Sequence, residues 1–261
     1  MNKSQIIALF DQDQRRDVEY PDTRREVTPT VVRHIAKSGT GEGIIIHSQL
    51  TEANVEETIR EQVAYFESIG QDFEWKAYDY DRPSDLKQRL ASCGFEVEEA
   101  EAIMVLDLED APGILWQPVG QNVQRIVDPE RISDALTVEE QVWDEDFSWL
   151  GHYLTTALRD YPEQMSLYVA YMHEQPVSAG WIYFPARSQF ASLWGGSTLS
   201  PFRKQGLYTA LLAIRAQEAS SRQVRYLTVD ASPMSRPILE KYGFEMIAYA
   251  FPCKWKVTTC P

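Results

Sequence analysis

The stretch Leu193-Trp-Gly-Gly-Ser-Thr-Leu-Ser-Pro-Phe-Arg-Lys-Gln-Gly-Leu-Tyr-Thr-Ala-Leu-Leu212 constrains the fold of this chain more than any other. It reads as a strand that opens at two glycines, then a short basic loop, then the first turns of a helix. Leu207, Leu211 and Ile214 fall on one face of that helix, and Leu212 and Ala219 widen it. Such a junction turns the free backbone N–H groups of a helix N-terminus toward an anion. Arg203 and Lys204 add charge beside the loop, and Gly206 lets the backbone approach a ligand closely. A diphosphate suits this arrangement, although a glycine and a basic pair also occur at ordinary strand–loop–helix junctions.

At 261 residues the chain has room for one large domain or two small ones, with a core that needs no covalent staples. No apolar run is long enough to cross a bilayer. Met1 to Phe10 is too short, and too soon followed by charge, to read as a secretory signal. Cys93, Cys253 and Cys260 have no metal-ligand spacing and leave one thiol over in any pairing, so a reducing cytoplasmic setting and no metal are expected. The net charge of −14 argues against nucleic acid as a partner, because phosphate contacts need a basic face. It suits a cationic substrate such as an amine, although an acidic surface also serves solubility alone.

The pattern predicts elements along the whole chain. A helix at Ser4–Phe10, a polar stretch to Arg25, a strand at Thr30–Ile35 and a loop at Ser38–Gly43 lead to a strand at Ile44–His47. A helix over Thr51–Ser68, a strand at Phe73–Tyr80, a helix opened by Pro83 and a strand at Ala102–Leu108 follow. Pro and Gly punctuate a linker at 113–121. The second half opens with a strand at Val123–Val127 and a helix capped by Asp128 with Pro129 at its first position. A helix near Tyr153–Leu158, a hairpin around His173–Pro176 and the Phe190–Leu199 strand precede the basic loop. After its helix come a strand at Tyr226–Asp230, a helix at Arg236–Tyr242 and a closing strand at Met246–Phe251. The order is β-α-α-β-β-β-α-β-α-β, a mixed α/β sheet.

That order, with Arg203-Lys-Gln-Gly206-Leu-Tyr208 between the fourth strand and its helix, resembles the GNAT superfamily of acyl-CoA-dependent N-acyltransferases. The family's loop runs Gln or Arg, two residues, Gly, one residue, then Gly or Ala; Tyr208 departs from it at the last position. Ser235-Arg-Pro-Ile-Leu-Glu-Lys-Tyr-Gly-Phe244 matches the family's helix ending in Gly-Phe. Residues 1–112 echo the same pattern, through Glu74–Tyr78, a Pro-started helix and Cys93-Gly-Phe-Glu96, but their helix opens with Thr51-Glu-Ala-Asn54 and no glycine. The resemblance thus implies tandem GNAT-like mixed sheets flanked by helices. Residues 1–112 would be a degenerate copy that does not bind CoA, 113–121 a linker, and 122–261 the catalytic acetyltransferase domain.

The resemblance also implies acetyl-CoA as cosubstrate and a V-shaped gap between the fourth and fifth strands for its pantetheine arm. Backbone groups of Thr198, Leu199 and Ser200 would bond that arm, and Gly195-Gly196 would supply the bulge or splay. Arg203, Lys204, Gln205, Gly206, Leu207, Tyr208 and Thr209 would hold the pyrophosphate, and Ser232 stands where the family has an Asn that contacts CoA. The chemistry needs a proton acceptor for the amine and a proton donor for the leaving thiolate. The family's acid, a Tyr four residues before the Gly of Gly-Phe, is Leu239 here, which carries no proton, and Tyr242 points to a different side of that helix. Tyr208 is one candidate donor, with packing over CoA as the alternative role. Glu140 and Asp144, from the acidic run Glu139, Glu140, Asp144, Glu145, Asp146, are candidate bases; a solvated helix face is the plainer reading of that run. Trp143, Phe147, Trp149 and Tyr153 either line an acceptor pocket or pack the core. The expected activity is transfer of an acetyl group to a primary amine of a small molecule or peptide, by a monomer or homodimer without membrane contact. A silent acyl-CoA-binding regulatory or scaffold protein is the alternative.

Overall fold

The structure is a computed structural model that describes residues 1–37 and 41–257. The chain forms two compact units. The first gathers Met1–Met104, Asp230–Lys241 and the segment from Glu245 onward; the second holds Val105–Val229 and Tyr242–Phe244.

The first unit opens with α1 (Lys3–Phe10), held at its start by a reciprocal box in which Asn2 and Gln5 cap each other's backbone N–H. A π-helical segment, Asp11–Arg16, continues it. Then come β1 (Thr23–Val27), β2 (Val31–Ala36) and β3 (Gly43–Ser48), paired antiparallel in succession. The strand β1 lies in the polar stretch for which the sequence predicts none: Thr23-Arg-Arg-Glu26 lacks an apolar alternation, and only β2 gives it a partner. Of the expected loop at Ser38–Gly43, residues 38–40 lie outside the described residues. The crossover helix α2 (Val55–Ser68) leads to β4 (Phe73–Tyr78), parallel to β3. Then follow α3 (Leu86–Ser92), a two-residue β5 (Glu96–Val97) and β6 (Glu101–Asp107). Burial of Ile45, Ile59, Phe66, Phe73, Trp75 and Leu90 holds α2 and α3 against this sheet, with the rings of Phe66 and Phe73 stacked at 4.1 Å.

In the second unit the predicted linker is tied down: Gly113–Trp116 is a 3-10 turn whose Leu115 is fully buried. After β7 (Val123–Ile126), the Asp128 carboxylate caps a 3-10 turn that runs into α4 (Ile132–Trp143). The helix α5 (Ser148–Asp160) and strands β8 (Met165–Met172), β9 (Gln175–Tyr183) and β10 (Phe190–Thr198) come next, then α6 (Leu207–Ser221) and β11 (Tyr226–Ala231). Strands order as β7-β8-β9-β10-β11, antiparallel except for the parallel β10–β11 pair. Ile132, Ala135, Val138, Leu150 and Leu154 of α4 and α5 pack on Leu167, Val169, Ala179 and Trp181.

After α7 (Arg236–Glu240) comes β12 (Glu245–Trp255). The element order expected for the second half is therefore present, but its closing strand is not in the second unit. β12 lies in the sheet of the first, ordered β1-β2-β3-β4-β12-β6, antiparallel to β4 from Ala250↔Tyr78 to Trp255↔Phe73. Its inward residues belong to that core: Cys253 is fully buried there, and the Trp255 ring sits 5.2 Å from Phe95. Alternation in a strand reports that it is half-buried, not which sheet receives it.

Candidate active site

The site of the second unit begins with an irregular strand. β10 pairs with β11 only from Phe190↔Tyr226 to Ser192↔Thr228, yet continues to Thr198, so its far half leaves the parallel ladder. On its other edge the register with β9 shifts between Gly195 and Ser197, a bulge with Gly196 as the extra residue. Both glycines have positive φ, 65° and 92°. A side chain at Gly195 would stand 2.6 Å from the Trp181 ring, so glycine is required there by space as well as by conformation.

Two buried charged residues reach this bulge. Glu139 of α4 is 3% exposed; its Oε2 accepts from the Ser197 hydroxyl at 2.7 Å and from the Trp143 indole N–H at 3.1 Å. Its Oε1 is buried with no hydrogen-bond partner among the described residues, 3.2 Å from the position a Gly195 Cβ would take. Burial raises the Glu139 carboxyl above the usual carboxylate range, against the two hydrogen bonds that favour its charge. Arg215 of α6 is 2% exposed, and its guanidinium donates to the carbonyls of Leu211, Trp181 and Trp194 at 2.9–3.2 Å. Burial lowers it to about 10, opposed only weakly by Tyr208 and Tyr168, and it has no ion-pair partner among the described residues. A Cβ at Gly180 would lie 3.0 Å from the Arg215 Nη1, so that glycine admits the guanidinium.

The loop after β10 is fixed at both ends. Leu199 and Leu207 bury beside Ala170 and Val177. The Leu199 N–H donates to the Val177 carbonyl, and its own carbonyl accepts from Phe202. Arg203 folds back, its Nε donating to the Thr198 carbonyl at 3.0 Å. Lys204 is exposed and has no ion-pair partner among the described residues. Lys204 and Gly206 take left-handed φ of 63° and 82°, turning the chain into α6. No side chain caps α6, so the amides of its first turn are left for a ligand or water. Tyr208 packs its ring edge against Gly196, 3.2 Å from where a Cβ would be, and burial raises its phenol while Arg215 opposes the shift. Tyr242 is in this unit too: its hydroxyl lies 2.5 Å from the Thr209 Oγ1, and its ring 6.1 Å from Tyr208.

The frame of the site is thus a strand that leaves its parallel neighbour, bulges at paired glycines and ends in a basic loop before a helix with no side-chain cap. Residues 136–254 match the family model described as an acetyltransferase (GNAT) domain. The chain carries a GNAT acetyltransferase domain. It is thereby an acyltransferase. Similar solved structures include a GCN5-related N-acetyltransferase from Kribbella flavida, 15% identical, covering 97% of this chain and 95% of that one with a TM-score of 0.68. A functionally unknown conserved protein from Staphylococcus epidermidis is 14% identical over 91% of this chain and 96% of that one, at 0.66. A tandem GNAT protein from the clavulanic acid biosynthesis pathway is 11% identical over 94% and 86%, at 0.59. Among curated proteins there is no match.

Thr198 through Thr209 of the GNAT domain lie together along the loop, as the sequence places them. Ser232 belongs to the first unit, where its Oγ lies 3.2 Å from that of Ser235. Leu239 is buried, with no proton to give. Glu140 and Asp144 are exposed, and Asp144 ends α4 with a left-handed φ of 56°; the carboxylate at the bulge is their neighbour Glu139. A signal for it was present: Glu139 stands seven residues after Ile132 and four after Ala135, inside the buried stripe of α4. Arg215 likewise occupies a core position of α6, whereas Ile214 is only half-buried.

Proposed function

We propose that the GNAT domain transfers an acetyl group from acetyl-CoA to a primary amine, with Glu139 as proton acceptor. One observation carries the assignment of the base: a buried carboxylate, raised by its surroundings and with one oxygen unpartnered, sits at the glycine bulge of the splayed strand. The fit to the cosubstrate rests on the uncapped start of α6 beside Lys204, which suits a diphosphate. Bound acetyl-CoA supplies an activated thioester and a thiol leaving group. The amides from Lys204 to Thr209 would hold the pyrophosphate, and the edge of β10 that leaves β11, with Thr198 at its end and Ser200 just beyond, would guide the arm. Leu199, with both backbone groups engaged, anchors the loop instead.

Glu139, fixed by Ser197 and Trp143, would take the proton of the attacking amine directly or through one water. Arg215, bonded to the Trp181 and Trp194 carbonyls, keeps the bulge in shape from beneath. Tyr208, its phenol held protonated by burial, would return a proton to the departing thiolate. A cytoplasmic setting, where acetyl-CoA is supplied, belongs to the same reading. The test is acceptor-dependent release of free thiol from acetyl-CoA. Glu139→Gln is expected to lower kcat by about 100-fold or more, within the range for a lost general base, while acetyl-CoA affinity stays within a few-fold. In the parent enzyme kcat/KM should rise with pH through an apparent pKa above the ordinary carboxylate value, and Glu139→Gln should remove that limb. Full activity of the Gln variant would overturn the assignment.

A further inference from the structure

The segment from Ile132 to Leu158 contains six carboxylates, Asp134, Glu139, Glu140, Asp144, Glu145 and Asp146, and no lysine or arginine. Their partners differ sharply. Asp134 lies 3.5 Å from Arg131, and Asp146 accepts from the Ser148 N–H at 3.0 Å at the start of α5. Glu140, Asp144 and Glu145 are exposed and pair with no cation among the described residues. Elsewhere in the same unit Asp107, Glu109, Asp160 and Glu218 each meet an arginine at 2.7–3.0 Å. Three acids with no cation among the described residues thus follow one another closely around the end of α4.

A second feature joins that charge to the reacting centre. Trp143 stands one turn after Glu139 and is 50% exposed, while its indole N–H donates inward to Glu139 Oε2 and to Ser197 Oγ at 3.1 and 3.2 Å. The orphaned Glu139 Oε1 is an acceptor without a donor in a residue 3% exposed. Trp143 is therefore bonded through its N–H edge to a buried carboxylate and half exposed in the same segment as the three unpaired acids. A cation over an indole face is favoured, most of all where it is partly desolvated. At the α-helical rise, Glu139 and Asp144 are separated by about 7.5 Å along the axis, a span that a short run of methylenes bridges.

Resting on the acyl-transfer reading, we propose that the acceptor is an aliphatic amine with a second positive charge. One nitrogen lies at Glu139 and loses its proton there before attack. The other remains an ammonium, held by Glu140, Asp144 and Glu145 beside Trp143. An acceptor with a carboxylate at that end meets this acidic rim as a like charge.

The test compares a straight-chain aliphatic diamine with the monoamine and the ω-amino acid of equal length, using the whole protein and acetyl-CoA. The diamine should exceed the monoamine in kcat/KM by about tenfold at low salt, as expected for a few exposed ion pairs acting together. The ω-amino acid should be poorest, and the advantage should shrink as salt screens it. The triple variant Glu140→Gln, Asp144→Asn, Glu145→Gln should raise KM for the diamine about tenfold with a much smaller change in kcat. Neutralising Glu130, Glu163 and Glu174, exposed carboxylates of the same unit away from the C-terminal end of α4, separates the rim from the general field and should leave KM within about twofold. Equal use of diamine and monoamine, or equal effects of the two triple variants, would overturn the proposal. Calorimetric titration of the diamine into the protein gives a readout independent of turnover. Binding lost only in the α4 variant supports the rim even if no thiol is released, and that failure would then strike the acyl-transfer reading alone.

Discussion

Each unit contains a parallel strand pair that separates after three register steps, β3 from β4 after Ile45↔Trp75 and β10 from β11 after Ser192↔Thr228. Beyond the point of separation the two units diverge. In the second unit the separated strand bulges at two glycines, then enters a loop with a free lysine and an uncapped helix. In the first, Arg15 fills the opening. Its Nε donates to the Ile46 carbonyl at 2.9 Å, its Nη2 to both Asp81 oxygens at 2.8 and 2.9 Å, and its guanidinium lies 3.9 Å over the Tyr78 ring. Asp11 takes the remaining nitrogen. The helix after that opening begins with Glu56 and Glu57, which complement the helix dipole and repel an anion. Splaying is thus a property of the shared backbone pattern, and the residues inserted afterwards decide whether it becomes a slot or a filled core.

Removing the plug is the largest perturbation. Arg15→Met leaves Asp81 buried without its cation and should cost about 3–5 kcal/mol, the range for breaking a buried pair, read as a lower urea midpoint. Acetyl-CoA should still bind once per chain, because the acidic α2 start and the missing glycine remain; a second equivalent would mean Arg15 alone separates the two units. Gly206→Glu strikes the other side of the comparison. It places a carboxylate at the start of α6 on a residue with φ of 82° and should weaken acetyl-CoA by about 100-fold, ~2.7 kcal/mol, by calorimetry.

The smallest effect concerns buried acids. Burial raises Glu74 of β4 to about 7, against the pull of Lys76. Because its folded-state pKa lies above the unfolded one, the folded form holds the proton more tightly. Stability contributed by Glu74 is then complete in acid, falls as pH rises from about 4.5 to 7, and is flat above. Glu74→Gln should flatten that window and stabilise the protein at pH 8 by on the order of 1–3 kcal/mol, measured from urea midpoints across pH. Glu139 is raised for the same physical reason, but its carboxylate has work at the bulge, so Gln there trades turnover for stability.

The loop, its glycines and the element order were legible because each has a local signature: positive φ needs glycine, and caps and periodicity mark helix ends. Glu139 stood only as one of five acids in a run, and Arg215 was missed, because polar residues inside an apolar stripe look like errors of phase until the strand they serve is known. Arg15 was hidden for a plainer reason, since its partners Ile46 and Asp81 lie 31 and 66 residues away. β1 and the destination of β12 depended on which strands lay alongside, and a single strand does not carry that information.

β12 bears also on synthesis. The first unit is begun by residues translated before the second, yet the strand that covers β4 and buries Cys253 comes from Glu245–Trp255. Until those residues emerge, β4 has an open edge, and Phe73, Trp75 and Phe95 lack part of their cover. The first unit therefore waits on residues translated after the second, and folding cannot proceed simply in the order of translation. A chain released early, before Glu245, would present that unfinished edge to other chains.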